Sequence, residues 1–260
     1  MACIIVCCRF SYFLAAFTDC YDAGVHIFNE AAKYNIDATR IIVSGDSAGG
    51  QLSLSVGMYL HQHGYPVKGI VAMYPMTQIV TGTTRSYIDN DGYAITRDGA
   101  SWAVSLYVHG NLKLLHGYQN GELYNAALAH DKELIMERFQ YKNDNYKFSN
   151  TSKSMELDKR ASQTIFDARV SPLLAPSSML KHMPPTHIYA MQYDILRDDS
   201  ILFYNAAKQA GNENIELTVW EGAFHIEQSY SKYWINKSPM PQSDIWITDY
   251  LNTISQLANA

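Results

Sequence analysis

The chain has 260 residues, of which 47% are hydrophobic and 17% charged, a composition typical of a folded globular protein and not of a disordered one. Its formal net charge of −5 and its lack of clustered Lys and Arg argue against a nucleic-acid partner, which would require a basic surface. No run of about 18 apolar residues occurs, so the sequence predicts no membrane-spanning helix.

The N-terminal segment contains all four cysteines, and we expect a buried strand at residues 2–8. A disulfide framework would spread its cysteines along the chain, so we interpret them as small buried side chains. The alternative is a signal peptide over residues 1–17, but Arg9 interrupts that apolar stretch after only a few residues. The cysteines are Cys3, Cys7, Cys8 and Cys20.

Strand and helix patterns alternate along most of the chain, which predicts an α/β fold with a mostly parallel sheet and helices on both faces. Thr18 can cap a helix that continues to about Tyr34, Ser243 can cap the last helix, and Gly211 is a C-terminal stop. The later strands are predicted at 41–44, 69–74, 186–193 and 215–220, and the other helices at 48–62 and 198–210.

Residues 80–165 interrupt this alternation. They are rich in Tyr, Asn, Lys and Asp, with helical patches near 98–108 and 121–138 and an exposed loop predicted at 143–154. An insertion of this size between two regular stretches is typical of a cap or lid that covers a pocket. We therefore expect a single domain over residues 1–260 that carries a cap at about 80–165.

Residues 45–50 read Gly-Asp-Ser-Ala-Gly-Gly and directly follow the apolar run at 41–44. A G-x-S-x-G pattern between a strand and a helix is typical of a nucleophile elbow. The chain must reverse sharply at the serine, so small residues are needed on both sides of it. The reversal exposes the serine hydroxyl at the carboxyl end of the strand, beside a helix N-terminus. Ser47 is therefore the candidate nucleophile.

A nucleophilic serine needs a base to take its proton, and the base needs a carboxylate to orient it. In one known arrangement the order along the chain is serine, carboxylate and histidine, each directly after a strand. Asp194 comes directly after one predicted strand, and His225 follows the next one. Asp198 and Asp199 compete for the carboxylate role, but they fall in the next helix and we expect them to charge its first turn.

The sequence predicts neither a metal nor a cofactor. His61 and His63 lie close together, but no third ligand accompanies them, and we interpret the histidines other than His225 as structural or solvated. Two Asn-x-Ser/Thr glycosylation acceptors, Asn150 and Asn236, weakly favour a luminal or secreted setting.

At these motifs the chain resembles the hormone-sensitive-lipase-like branch of the α/β-hydrolases, and within it the arylacetamide deacetylase and neutral cholesterol ester hydrolase group. The Gly-Asp-Ser-Ala-Gly-Gly form of the elbow is characteristic of that branch. By position, the resemblance implies Ser47 as nucleophile, Asp194 as orienting acid, His225 as base, and the backbone N–H of Ala48 as one oxyanion donor. The segments that carry it are 40–50, 170–174, 193–199 and 222–225.

The chain departs from this branch upstream of the elbow. The family has a His-Gly-Gly-Gly motif there, whose N–H groups complete the oxyanion hole, and the sequence contains no such motif. We therefore expect an N-terminally truncated version of the fold that begins after the glycine motif and lacks the strands before it. Family members are placed at the endoplasmic reticulum membrane or lumen, some through an N-terminal anchor, and membrane association here would depend on such a missing segment.

The resemblance and the residues together lead to the same expected function, a serine hydrolase that cleaves carboxylic esters or arylamides of small apolar substrates through an acyl-enzyme. The alternative is an inactive hydrolase scaffold that binds a ligand. The presence of all three triad residue types favours the enzyme, whereas the missing glycine motif favours the binder.

Overall fold

The computed structural model describes residues 14–140, 147–149, 151–231 and 240–260. The predicted strand at 2–8 and both glycosylation acceptors, Asn150 and Asn236, lie outside these residues, as does part of the predicted loop at 143–154. Cys20 is within them, and its side chain is half-buried.

Four parallel strands form one sheet within the described residues, in the order β1-β2-β3-β4. Their register pairs Ser44 with Val71, and Val71 with His187. The four strands predicted at 41–44, 69–74, 186–193 and 215–220 are thus confirmed, although β4 continues four residues beyond its predicted end. A pairing irregularity lies between Met191 and Tyr193 of β3. The strands are β1 (Ile42–Asp46), β2 (Gly69–Met73), β3 (Thr186–Tyr193) and β4 (Ile215–Phe224).

Eleven α-helices lie in the part of the chain that the structure describes. They are α1 (Ala15–Asn29), α2 (Ala48–Gln62), α3 (Arg85–Asp89), α4 (Arg97–His109), α5 (Leu115–Asn120), α6 (Glu122–His130), α7 (Lys132–Arg138), α8 (Lys159–Ile165), α9 (Ser177–Lys181), α10 (Arg197–Gln209) and α11 (Pro241–Asn259). Short 3₁₀ helices occupy Ala31–Tyr34, Ala38–Arg40, Pro172–Leu174 and Glu227–Tyr230.

Helices cover both faces of the sheet, as the uninterrupted burial of β2 requires. Side chains alternate along β2, so Ile70 and Ala72 belong to the large core with α2 and α10, whereas Val71 and Met73 belong to a second core with α11. Both faces of β2 exclude water. Each fully buried Ile, Leu or Phe contributes about 1.5–3 kcal/mol of transfer free energy. The α/β architecture predicted from the sequence is confirmed.

Two predicted helix caps are wrong. Helix α1 begins at Ala15, and the backbone N–H of Thr18 already donates to Leu14 O, so Thr18 lies inside the first turn. Helix α11 begins at Pro241, whose fixed φ and missing N–H suit the first helical position, and Ser243 is its third residue. In both cases a polar residue with capping propensity lies inside a helix that began earlier.

Helices α3–α8 lie between β2 and β3, where the sequence interrupts its strand–helix alternation. The predicted patch at 98–108 corresponds to α4, and the patch at 121–138 is divided into α6 and α7. The division occurs at Asp131, whose carboxylate accepts a hydrogen bond from the N–H of Leu134 and caps α7. That this segment acts as a cap, and that the chain is one domain, stay predictions.

Candidate active site

Ser47 lies between the last residue of β1 and the first residue of α2, with φ 55° and ψ −120°. This conformation is uncommon for a residue with a Cβ atom and marks a sharply reversed backbone. The N–H of Ser47 donates to Met73 O at 2.9 Å, which ties the reversal to the neighbouring strand. The half-buried side chain of Ser47 therefore projects from the carboxyl edge of the sheet.

Two glycines around the serine are required by the close approach of backbone atoms. A Cβ added to Gly45 would lie 2.3 Å from Gly49 O, and one added to Gly50 would lie 2.8 Å from Met73 O. A Cβ added to Gly49 meets nothing within 4 Å. The elbow therefore requires glycine at positions 45 and 50. Gly49, the second glycine of the G-x-S-x-G pattern, has room for a side chain.

The side chains of Ser47, His225 and Asp194 form one hydrogen-bonded series. The distance from His225 Nε2 to Ser47 Oγ is 3.0 Å, and the distance from His225 Nδ1 to Asp194 Oδ2 is 2.7 Å. With Nδ1 donating its proton to the carboxylate, Nε2 is left as the acceptor for the serine hydroxyl. The structure thus brings together three residues that are predicted from three separate parts of the sequence.

Asp194 and His225 are both buried, and each follows a strand directly. The second carboxylate oxygen of Asp194 accepts the N–H of Leu196 at 2.9 Å, which fixes the side chain in the turn before α10. Beyond His225, Ile226 adopts the left-handed region with φ 63° and turns the chain into the next 3₁₀ helix. Burial excludes water from the imidazole–carboxylate pair, which strengthens its electrostatic interaction.

Ala48 is exposed and is the first residue of α2. Backbone N–H groups in the first turn of a helix have no partner within the helix and carry partial positive charge. Farther into the helix, the N–H of Gln51 donates to Ser47 O at 3.1 Å. An N–H at Ala48 is therefore suited to an anionic oxygen bound next to Ser47, which is the role that the family resemblance implies.

Comparison of the sequence with known protein families identifies the family of this chain. A family described as alpha/beta hydrolase fold matches residues 11–129 and 132–228. The chain belongs to this family. Among curated proteins, this alpha/beta hydrolase is 32% identical over 203 residues to arylacetamide deacetylase of Bos taurus, covering 74% of the chain and 50% of that protein. It is 27% identical over 207 residues to neutral cholesterol ester hydrolase 1 of Bos taurus, covering 74% of the chain and 50% of that protein.

The same architecture occurs in solved structures. A hyperthermophilic esterase of the archaeon Pyrobaculum calidifontis superposes with a TM-score of 0.66 at 22% identity, over 96% of this chain and 63% of the esterase chain. This likeness shows the fold. This alpha/beta hydrolase chain spans about half the length of the curated relatives that it matches.

Asp198 and Asp199 of the alpha/beta hydrolase do not contact the histidine in the way that Asp194 does. They lie in the first turn of α10, as predicted, and both are fully buried. Asp198 accepts the N–H of Ser86 at 2.8 Å. Burial raises the pKa of the Asp199 carboxyl well above its usual range, and Gln78 donates to it at 3.0 Å.

Sequence reasoning missed several residues that surround the triad. Tyr74 places its ring centroid 4.6 Å from that of His225, and Asn90 donates to the carbonyl oxygen of Asp194 at 3.0 Å. Glu227 accepts the N–H of Phe224 at 3.1 Å, and burial raises the pKa of its carboxyl. Two positions in the sequence could have pointed to these residues. Tyr74 lies at the end of the strand predicted at 69–74, and Glu227 lies two residues beyond His225.

Several other histidines of the alpha/beta hydrolase have partners outside this site. His63 Nδ1 lies 2.7 Å from Tyr59 O and 3.1 Å from Tyr21 Oη, and His187 stacks on Tyr189. Within residues 14–140, 147–149, 151–231 and 240–260, no three His, Cys, Asp or Glu side chains are grouped so as to hold a metal ion. None of the helices described there is long and apolar enough to cross a membrane.

Proposed function

We propose that this chain is a serine hydrolase of carboxylic esters or arylamides with apolar acyl or leaving groups. Ser47 is the nucleophile, His225 the general base and Asp194 the acid that orients the imidazole. The observation that carries the proposal is the hydrogen-bonded series of 3.0 Å and 2.7 Å from Ser47 Oγ through the imidazole to Asp194. The family membership and the strained elbow support the same assignment.

The geometry supports a two-step acyl transfer. Ser47 Oγ attacks the acyl carbon while His225 Nε2 takes its proton, and the negative oxygen of the tetrahedral intermediate accepts the N–H of Ala48. The imidazolium, stabilised by Asp194, returns the proton to the departing alcohol or amine. A water molecule then attacks the acyl-enzyme with the same base and releases the acid. None of these steps requires a metal or a cofactor.

The substrate class is inferred from the names of the relatives. Arylacetamide deacetylase is named for an arylamide, and neutral cholesterol ester hydrolase for an ester of a bulky apolar alcohol. Both are acyl compounds in which an apolar group flanks a carbonyl. We therefore place the substrate of this chain among small apolar esters and arylamides.

The decisive experiment is labelling of the full chain with a fluorophosphonate probe, together with hydrolysis of p-nitrophenyl acetate, p-nitrophenyl octanoate and an N-acetyl arylamine. We expect a covalent adduct at Ser47, and Ser47→Ala should lower kcat by roughly 10⁴-fold or more. Ser53→Ala is the matched control, because Ser53 lies in the same helix α2 with its hydroxyl bonded to Gly50 O at 2.8 Å.

An inactive scaffold that binds a ligand is the alternative, and it predicts neither an adduct at Ser47 nor Ser47-dependent hydrolysis by the folded chain. That outcome would end the proposal of an enzyme.

A further inference from the structure

Tyr74 occupies the centre of the sheet edge at which the candidate triad is assembled. It follows β2 directly, between the strands that carry Ser47 and Asp194, and its side chain is fully buried. Its φ of 34° is positive, and its N–H donates to Tyr189 O at 2.6 Å. A bulky residue with positive φ is strained, so the surrounding structure holds this side chain in a defined direction.

The hydroxyl of Tyr74 joins the two loops that carry the nucleophile and the base. It donates to Asp46 Oδ2 at 3.0 Å and accepts a hydrogen bond from the side-chain amide of Gln228. Asp46 directly precedes Ser47, and Gln228 follows His225 by three residues. One oxygen atom therefore connects the serine loop to the histidine loop.

The ring of Tyr74 also limits the position of the imidazole. The centroids of the Tyr74 and His225 rings are 4.6 Å apart, with an interplanar angle of 58°. Burial and the neighbouring Asp46 carboxylate raise the pKa of the Tyr74 phenol above its usual range. The phenol therefore stays protonated, and it is able to donate to Asp46 and accept from Gln228 at the same time.

We propose that Tyr74 is a positioning residue that holds the imidazole of His225 opposite the hydroxyl of Ser47, an inference that rests on the proposed function. The ring restricts the tilt of the imidazole, and the hydroxyl fixes the separation of the two loops. Displacement of a reacting group by about 1 Å costs up to a hundredfold in rate. Tyr74 thus acts through His225 and touches neither the substrate nor the reacting atoms.

The test compares Tyr74→Phe, which keeps the ring and removes the hydroxyl, with Tyr189→Phe. Tyr189 is fully buried in the neighbouring strand β3, and its hydroxyl lies 2.7 Å from Thr253 Oγ1. Both tyrosines belong to the same buried cluster, so the control removes a comparable hydrogen bond from a hydroxyl that contacts Thr253 of α11. Thermal unfolding of both variants measures the purely structural cost.

We expect Tyr74→Phe to lower kcat and the rate of fluorophosphonate addition to Ser47 by about 10- to 100-fold. KM should stay within about twofold, because the substrate contacts are intact. Asp46→Asn, which keeps an acceptor for the phenol, should retain more activity than Asp46→Ala. A kcat for Tyr74→Phe equal to that of Tyr189→Phe, or a loss confined to KM, would overturn the proposal.

A second measurement separates this proposal from the proposed function. In protein labelled with ¹⁵N-histidine, the Nδ1 proton that His225 shares with Asp194 is observed by NMR whether or not the chain turns over substrate. We expect this proton signal in the unmodified chain and in Tyr189→Phe, and its loss through solvent exchange in Tyr74→Phe. An unchanged signal in Tyr74→Phe refutes the positioning role, whereas absent hydrolysis in the unmodified chain refutes only the enzyme.

Discussion

The side-chain amide of Asn90 donates a hydrogen bond to the backbone carbonyl of Asp194 at 3.0 Å. The same nitrogen lies 3.2 Å from Gln192 O, so one buried amide holds the backbone of the turn that carries the candidate acid. Asn90 follows helix α3, in the segment between β2 and β3. The segment between β2 and β3 thereby holds the turn of the candidate acid, although none of its residues belongs to the candidate triad.

Asn90→Asp should weaken the site, because a carboxylate in place of the amide faces two carbonyl oxygens with no proton to donate. Leaving buried acceptors without a donor costs about 1–3 kcal/mol. We expect Asn90→Asp to lower kcat for p-nitrophenyl acetate, and Asn90→Ala to lower it by a smaller factor. Asn120→Asp serves as the control, because Asn120 lies in α5 and bonds to Glu122. Equal activity of Asn90→Asp and Asn120→Asp would contradict this role.

Gly45→Ala and Gly49→Ala should have opposite effects on stability, although both glycines belong to the G-x-S-x-G pattern. The added methyl group at position 45 would lie 2.3 Å from Gly49 O, a backbone atom that cannot move without opening the elbow. At position 49 it meets nothing within 4 Å. Because alanine is favoured over glycine in a helix by about 0.8–1 kcal/mol, Gly49→Ala should be neutral or stabilising.

Urea denaturation of the two glycine variants measures this difference. Overpacking against backbone costs about 1–3 kcal/mol or more, so the midpoint of Gly45→Ala should fall. A midpoint for Gly45→Ala equal to that of Gly49→Ala would mean that the elbow tolerates a side chain at both positions.

Ser47→Gly should be more stable than Ser47→Ala. The backbone at Ser47 has φ 55° and ψ −120°, which glycine adopts without strain and alanine does not. Strain of this kind costs about 1–3 kcal/mol, and the entropy lost by glycine on folding offsets about 0.5–1 kcal/mol of the gain. Neither variant has a nucleophile, so the comparison concerns stability alone. Calorimetry measures the unfolding temperature of each variant. Ser47→Ala unfolding at the higher temperature would show that the elbow is unstrained.

Asp199→Asn should flatten the dependence of stability on pH. Burial raises the pKa of Asp199 in the folded chain, so the folded state holds a proton that the unfolded state releases above about pH 4. The unfolded state then binds fewer protons, and the free energy of unfolding falls as pH rises. Asparagine carries no such proton.

The advantage of Asp199→Asn over the unmodified chain should therefore grow from pH 4 to pH 8 in urea denaturation. Asp98→Asn, at an exposed carboxylate that accepts from Gln119 at 2.7 Å, is the control for the substitution itself. A constant difference between Asp199→Asn and the unmodified chain across this range would show that the buried carboxyl does not titrate differently on folding.

The sheet was predictable from the sequence because its signals are local. Strand β3 and helix α2 have their predicted limits, since prolines precede the strand at 184–185 and glycine and proline follow the helix at 64–66. The elbow, with the order serine, aspartate, histidine, likewise identified the three side chains that the structure brings together.

The supporting contacts were not predictable because their partners are distant along the chain. Asn90 and Asp194 are 104 residues apart, and Tyr74 and Gln228 are 154 residues apart. No spacing rule connects such pairs, and residues 80–165 have no strand–helix rhythm that would place Asn90 at the sheet edge. The caps at Thr18 and Ser243 failed for a different reason, since capping propensity does not show where the preceding residues enter the helix.

The bond between Ser47 and His225 joins positions 178 residues apart. Parallel pairing of non-local segments delays folding, since chain entropy is lost before the contacts form. The reactive geometry at the serine is thus among the last things to be completed when the denatured polypeptide is diluted from urea. Circular dichroism of the helices should recover first, and capture of a phosphonate at position 47 should lag behind it, reporting the arrival of the native topology.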